Sequence, residues 1–225
     1  MELVYEEGTH RYFLDGKQKR ALSDVLDTAE VECCRRFSVD HYGLTPDFRF
    51  IKDAVFENAC ARNSQVDNVN SRLLEGRWNA EDEGEVSNEA LPLVLALYDY
   101  WWPRLGDERP GLCVQTPLYC RELDFCTLPD WHDTDSVNDL KCGKTPSRTW
   151  GLRMAGQALA HGRARVQRIV QLEPHLKTRK WSTFVRAKHY DPRVFHPLDE
   201  TVLRAAAFED WNNPVFEQWK GRRAA

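Results

Sequence analysis

Residues 121–148, RELDFCTLPDWHDTDSVNDLKCGKTPSR, decide how the chain is read, because they look like a β-hairpin that gathers carboxylates and a lysine. Phe125 to Pro129 and Ser136 to Lys141 are strand-like, and Asp130, His132, Asp133, Thr134 and Asp135 form a polar reversal between them. If Pro129 lies opposite Ser136, Asp124 faces Lys141 and Cys126 faces Asp139. Directly opposed residues share a face, as do residues two apart on one strand. Asp124, Asp139 and Lys141 then converge, while Leu140 points into the core from the other side. Two carboxylates at that separation repel unless a cation sits between them, and a hard divalent ion such as Mg²⁺ meets the need. Two readings compete with a metal site. One β-bulge would send Asp124 to the opposite face, and an Asp-x-Lys pair on a strand is commonly a solvated ion pair.

The rest of the chain bears on that choice. Its 225 residues, 42% hydrophobic with eight Trp and ten Phe, suffice for a full core. They are read as a single domain: an N-terminal hairpin and helices over 1–110, a catalytic core over 111–190 and a C-terminal helix over 195–225. The first residues, MELVYEEGTHRYFLDG, lack a basic flank followed by an apolar run, and no stretch has the length of a membrane span, so a cytoplasmic protein with no membrane partner is expected. Seven cysteines at irregular spacings argue for free thiols rather than a disulfide framework.

A formal charge of −4 hides an asymmetry: residues 1–140 carry 14 Lys/Arg against 28 Asp/Glu, whereas residues 141–190 carry 12 Lys/Arg against Glu173 alone. The basic block begins where the hairpin ends. It suits a polyanionic substrate such as DNA, with Lys144, Arg148, Arg153, Lys177, Arg179 and Lys180, alongside Gln157, as candidate nucleic-acid contacts. A solvated basic face balancing the acidic half is the competing reading.

Along the chain, THRYFLDGKQKRAL reads as a hairpin turning at Asp15-Gly16, and Ser23 as the cap of a following helix. ARNSQVDNVNSRLLEG sets Val66, Val69 and Leu73 on one helical stripe, with Asp67, Asn70 and Ser71 beside it, and stops at Gly76. RWNAEDEGEVSNE reads as an acidic, mobile loop. EALPLVLALYDYWWPRLG, interrupted by Pro92, reads as the main buried helix. LCVQTPLYC reads as one strand leading into the central hairpin. TWGLRMAGQALAHG is then a helix, RVQRIVQLEP and RKWSTFVRAKH are strands, and ETVLRAAAFEDWNN is a closing amphipathic helix. The expected class is α/β, a mixed sheet flanked by helices.

In this order the segments resemble the PD-(D/E)xK nuclease superfamily, specifically its RecB-like and phage-exonuclease-like branch. THRYFLDGK and ALSDVLDTA look like the N-terminal hairpin and first helix of phage-encoded members. LDFCTLPD resembles the strand bearing the first metal-binding aspartate, VNDLKCGK the strand bearing the acidic residue, the lysine and the following glycine, and TWGLRMAGQALAHG the helix after the site. The resemblance implies a restriction-endonuclease-like core and a metal-dependent deoxyribonuclease, an exonuclease or DNA-processing enzyme of phage or mobile-element type. It implies that Asp124 and Asp139 bind Mg²⁺ or Mn²⁺ with the Leu140 carbonyl, and that Lys141 orients or deprotonates the attacking water. The resemblance would extend to a partner protein in phage recombination or host defence, and to oligomers that nothing in the sequence demands; phage origin would place the protein in the host cytoplasm.

Three positions depart from that pattern. Asn63-Ser64 followed by Asp67 stands where the branch has Gly-Thr and a histidine, Gln115 where a glutamate often precedes the first aspartate, and Arg153 with Gln157 where a glutamine and a tyrosine usually lie. Asp67 is therefore a candidate replacement ligand. The departures fit a divergent active nuclease, and they equally fit a weak or inactive nuclease fold that binds DNA or inhibits a host protein.

Overall fold

The computed structural model describes residues 2–26, 49–78, 86–104, 106–107, 109–143, 146, 149–175, 180–188, 191, 193–210 and 212–220. The α/β class expected from the sequence is what the chain adopts, but its strands divide between two five-stranded mixed sheets instead of forming one. The first begins with β1 (Leu3–Glu6), β2 (Arg11–Leu14) and β3 (Lys17–Ala21). Asp15 and Gly16, both at positive φ (49° and 77°), make the tight turn that joins β2 to β3 and sets Leu14 opposite Lys17. A helix, α1, follows at once; its described residues are 22–26, and the Asp24 carboxylate caps its start by accepting the Ala21 N–H at 2.8 Å.

The long helix α2 (Arg49–Leu74) and α3 (Leu91–Trp101) come next. Pro92 does not interrupt α3; it sits in the first turn, where a missing N–H costs nothing. Val66, Val69 and Leu73 of α2 are buried against Leu93, Leu97 and Trp101 of α3. A buried hydrogen bond from Trp101 Nε1 to Asn70 Oδ1, 2.8 Å, ties the helices together. The acidic loop lies largely outside the described residues, at 79–85.

The segment expected as one strand is two: β4 (Cys113–Val114) and β5 (Leu118–Cys120). Gln115, at φ 43°, breaks the run, and the two pieces join different sheets. β6 (Phe125–Thr127) then pairs antiparallel with β5 and parallel with β3, completing the first sheet in the order β1-β2-β3-β6-β5. Pro129 cannot donate to a ladder, so the chain leaves this sheet there and enters the second as β7 (Trp131–His132). β8 (Ser136–Cys142), α4 (Thr149–His161) and β9 (Val166–His175) form a βαβ crossover with β8 and β9 parallel, and β10 (Lys180–Ala187) closes the order β10-β9-β8-β7-β4. α5 (Asp199–Ala207) and α6 (Val215–Lys220) end the described chain; the expected closing helix is thus a pair.

The second sheet is covered on both faces, so polar residues of β8 and β9 such as Asn138, Asp139, Gln167 and Gln171 are buried along with the apolar ones. Leu140, Val170 and Leu172 pack against α2 and α3, while Val137 and Ile169 pack under Met154 of α4 with Val194 and Phe195. α4 also touches the first layer. A methyl group on Gly156 would stand 2.6 Å from Leu22 Cδ1, so this glycine permits the close approach of α4 to α1.

Candidate functional site

The register of the central hairpin overturns the expected convergence of Asp124 with Asp139 and Lys141. β7 pairs with β8 through Trp131↔Asn138 and His132↔Val137, four positions away in summed register from the expected pairing of Pro129 with Ser136. β6 pairs with β3 and β5 instead of β8, so Cys126 faces Tyr119 and Ala21 and not Asp139. Asp124 lies in the turn before β6 at φ 48°, exposed, and accepts hydrogen bonds from Lys19 Nζ (2.8 Å) and Tyr119 Oη (2.5 Å). Those two bonds hold its carboxyl below the usual aspartate range. It is a turn residue of the first sheet.

The residue that takes its place is Asp130. One step beyond the Trp131↔Asn138 pair, Asp130 falls opposite Asp139. The β7–β8 ladder stops there, which leaves the Leu140 N–H without a strand partner; the Asp130 carboxylate accepts it at 2.5 Å. In an extended strand a residue's N–H and C=O share one edge, so the Leu140 carbonyl lies on the edge that Asp130 faces. Two further contacts fix Asp130. Its own carbonyl accepts the Gln115 N–H at 3.0 Å, and its neighbour Trp131 packs edge to face on Trp101, ring centroids 5.5 Å apart.

Asp139 is 3% exposed and forms an ion pair with Lys141. From α4, Gln157 Nε2 approaches Asp139 Oδ1 to 3.5 Å, while its buried Oε1 has no hydrogen-bond partner. Asp67 of α2 and Asp130 complete the cluster. Burial, with Asp139 adding to it and Lys141 opposing, pushes the Asp67 carboxyl up to about 6. Burial and then Asp139 raise Asp130 well above the usual range, with Lys141 again opposing. Burial pulls the Lys141 ammonium down, but the charges of Asp139 and Asp130 outweigh it and its pKa rises. Arg153, one turn before Gln157, is within electrostatic reach of the same lysine.

Three carboxylates around one ammonium are short of positive charge. Among the described residues no group of three or more His, Cys, Asp or Glu stands ready-made around a metal position, and Lys141 supplies the counter-charge. The donor set nevertheless suits a hard divalent ion: Asp130 and Asp139 face each other, the Leu140 carbonyl shares their edge, and Gln157 Oε1 is a buried acceptor without a donor.

Because folded Asp67 holds its proton more tightly than the unfolded chain, metal-free stability falls as pH rises from about 4 through about 6. That shift is worth about 3 kcal/mol at neutral pH. Asp67→Asn should flatten this decline and raise the melting temperature at pH 7.5 in chelator. Thermal unfolding across that pH range checks it; an unchanged slope in the variant would refute the assignment.

The basic block divides by role. Lys144, Arg148, Lys177 and Arg179 lie outside the described residues, and Lys180 is exposed at the start of β10. Arg186, 6% exposed, is structural: it pairs with Glu173 (2.5 Å) and Asp191 (3.0 Å) and donates to Gln171 Oε1 at 2.6 Å. Gln171 in turn donates to the Gly143 carbonyl at 2.6 Å, so this buried chain fixes the backbone two residues after Lys141. His132 and His161, rings 5.3 Å apart, line a separate cavity of about 340 Å³ at the other end of β8. There Asp133 caps the hairpin tip by accepting the N–H groups of Asp135 and Ser136.

No helix among the described residues is long and apolar enough to cross a membrane. No family model matches the chain, and no curated protein is similar to it in sequence.

Proposed function

We propose that the chain is a metal-dependent deoxyribonuclease of the PD-(D/E)xK kind, with Asp130, Asp139 and Lys141 as its working residues and Asp67 as an accessory carboxylate. The observation that carries this reading is the hairpin register, which sets Asp130 opposite Asp139 beside the unpaired edge of β8, with Lys141 ion-paired to Asp139. Asp130, Asp139 and the Leu140 carbonyl would hold Mg²⁺ or Mn²⁺. When bound, such an ion supplies Lewis-acid polarisation of a phosphoryl oxygen. The chain's own contribution is to place the Lys141 ammonium between the carboxylates and the phosphodiester. There it orients the attacking water and neutralises charge that develops on the phosphate. Gln157, beside Asp139, holds that carboxylate's orientation.

With Mg²⁺ or Mn²⁺ the purified protein should degrade linear DNA. Asp139→Asn should lower the rate by about a thousandfold or more while keeping the melting temperature. Intact DNA after prolonged incubation with either ion would reject the enzymatic reading. A second reading, a DNA-binding protein with a weak or silent site, is favoured by Gln115: this exposed neutral residue brings no carboxylate to the cluster. Calorimetry separates the two, since a silent site takes up no divalent ion.

A further inference from the structure

Resting on the nuclease reading, one arginine outside the basic block has the geometry of a substrate contact. We propose that the Arg62 guanidinium, laid over the indole of Trp181, receives a backbone phosphate of the DNA strand as it enters the site.

Arg62 projects from α2, the helix that carries Asp67, and its guanidinium carbon lies 5.7 Å from the centre of the Trp181 ring. Trp181 pairs with Pro174 of β9, two residues beyond Leu172, which pairs with Cys142 next to Lys141. The stack therefore stands level with the end of β8 that carries the lysine.

The hydrogen bonding of Arg62 is incomplete, where Arg186, Arg193 and Arg204 each pair with carboxylates. Among the described residues no carboxylate lies within ion-pairing distance of Arg62. Its Nε is buried with no acceptor among the described residues, and its hydrogen bond from Nη2 to Asn63 Oδ1 is 3.5 Å long. A guanidinium has five donors in a planar fork that fits phosphate, and an aromatic ring beneath it holds the plane without using those donors. The phosphodiester is the favoured anion because Lys141, the residue that would meet the scissile phosphate, lies at the same end of the sheet.

The test is equilibrium binding of a fluorescent DNA oligonucleotide in EDTA, by anisotropy, across about 50 to 200 mM salt. Arg62→Gln should weaken Kd about tenfold near 0.1 M salt and lower the slope of log K against log salt by about one phosphate contact. Arg62→Lys should keep that slope, because the charge remains, while losing several-fold in affinity as the fork is lost. Should Arg62→Gln fail to fold, Arg62→Lys decides the matter. Wild-type affinity and slope in the folded glutamine variant, or wild-type affinity in the lysine variant if that alone folds, would overturn the proposal and leave the nuclease reading standing. A wild-type protein that binds no DNA at all would remove both.

Discussion

Replacing Asp130 with alanine should abolish DNA hydrolysis, lowering kcat by at least about two to three orders of magnitude, whereas Asp124→Ala should leave it within about a factor of two. The contrast follows from where the chain changes sheets. Asp124 serves a turn of the first sheet and is occupied by Lys19 and Tyr119. Asp130 serves the unpaired edge of β8 and adds to the charge that raises Lys141. Alanine at 130 also strips the Leu140 N–H of its acceptor, a loss of about 1–3 kcal/mol, so a second variant is needed. Asp130→Asn keeps an oxygen for that N–H and removes only the charge; it should fold like the wild type and remain inactive. Steady-state cleavage of linear duplex with Mg²⁺, beside melting curves, reads both effects. Activity retained in Asp130→Asn, or lost in Asp124→Ala, would return the choice of residue to the sequence-based register.

That register shows where the sequence was readable and where it was not. The run VNDLKCG announces a buried strand with Asp139 and Lys141 on one face, and these two do meet. Alternation along one strand is local and survives any error in pairing. The partner strand depends on pairing, and the alternation of Phe125 to Pro129 does not reveal that this stretch pairs with β3 and β5 in the other sheet. The missed signal was Pro129 itself. Proline cannot donate to a ladder, so a strand ends there and the next residue, Asp130, is free to cap a neighbouring edge.

Helices were the most legible elements, since α2, α3 and α4 carry stripes of Val, Leu and Met with period 3.6, and α2 and α4 stop at Gly76 and Gly162, both at positive φ. The division into two sheets was not legible, because it turns on the left-handed backbone of Gln115, a residue with no strong preference for that conformation. Charge counting was informative about composition and misleading about placement. Arg186 belongs to the basic block yet spends its donors on Glu173, Asp191 and Gln171, while Arg62, from the acidic half, has the unused ones. Net charge along a sequence does not record which guanidinium already has a carboxylate.

Lys141→Met should cost about 3–5 kcal/mol of stability at pH 8 in chelator, because it leaves Asp139, Asp130 and Asp67 crowded without their cation. The sign with pH follows from the raised carboxyls. Below about pH 6 Asp67 holds its proton in the folded state, and burial raises the Asp130 carboxyl in the same direction, so the methionine variant should regain stability on acidification while the wild type gains less. Lys141→Arg restores a positive charge beside Asp139 and should recover most of that stability. On the proposed role of Lys141 as a compact ammonium at the place of attack, it should not recover hydrolysis. A second compensation is diagnostic of the site itself: millimolar Mg²⁺ should raise the melting temperature of Lys141→Met by more than that of the wild type, since a divalent ion fills the charge deficit the lysine left. Calorimetric melts with and without Mg²⁺ at pH 6 and 8 give every term. If Mg²⁺ shifts neither protein and Lys141→Arg behaves as wild type in every assay, the cluster is a buried ion network that stabilises the sheet, and the catalytic assignment of Lys141 fails.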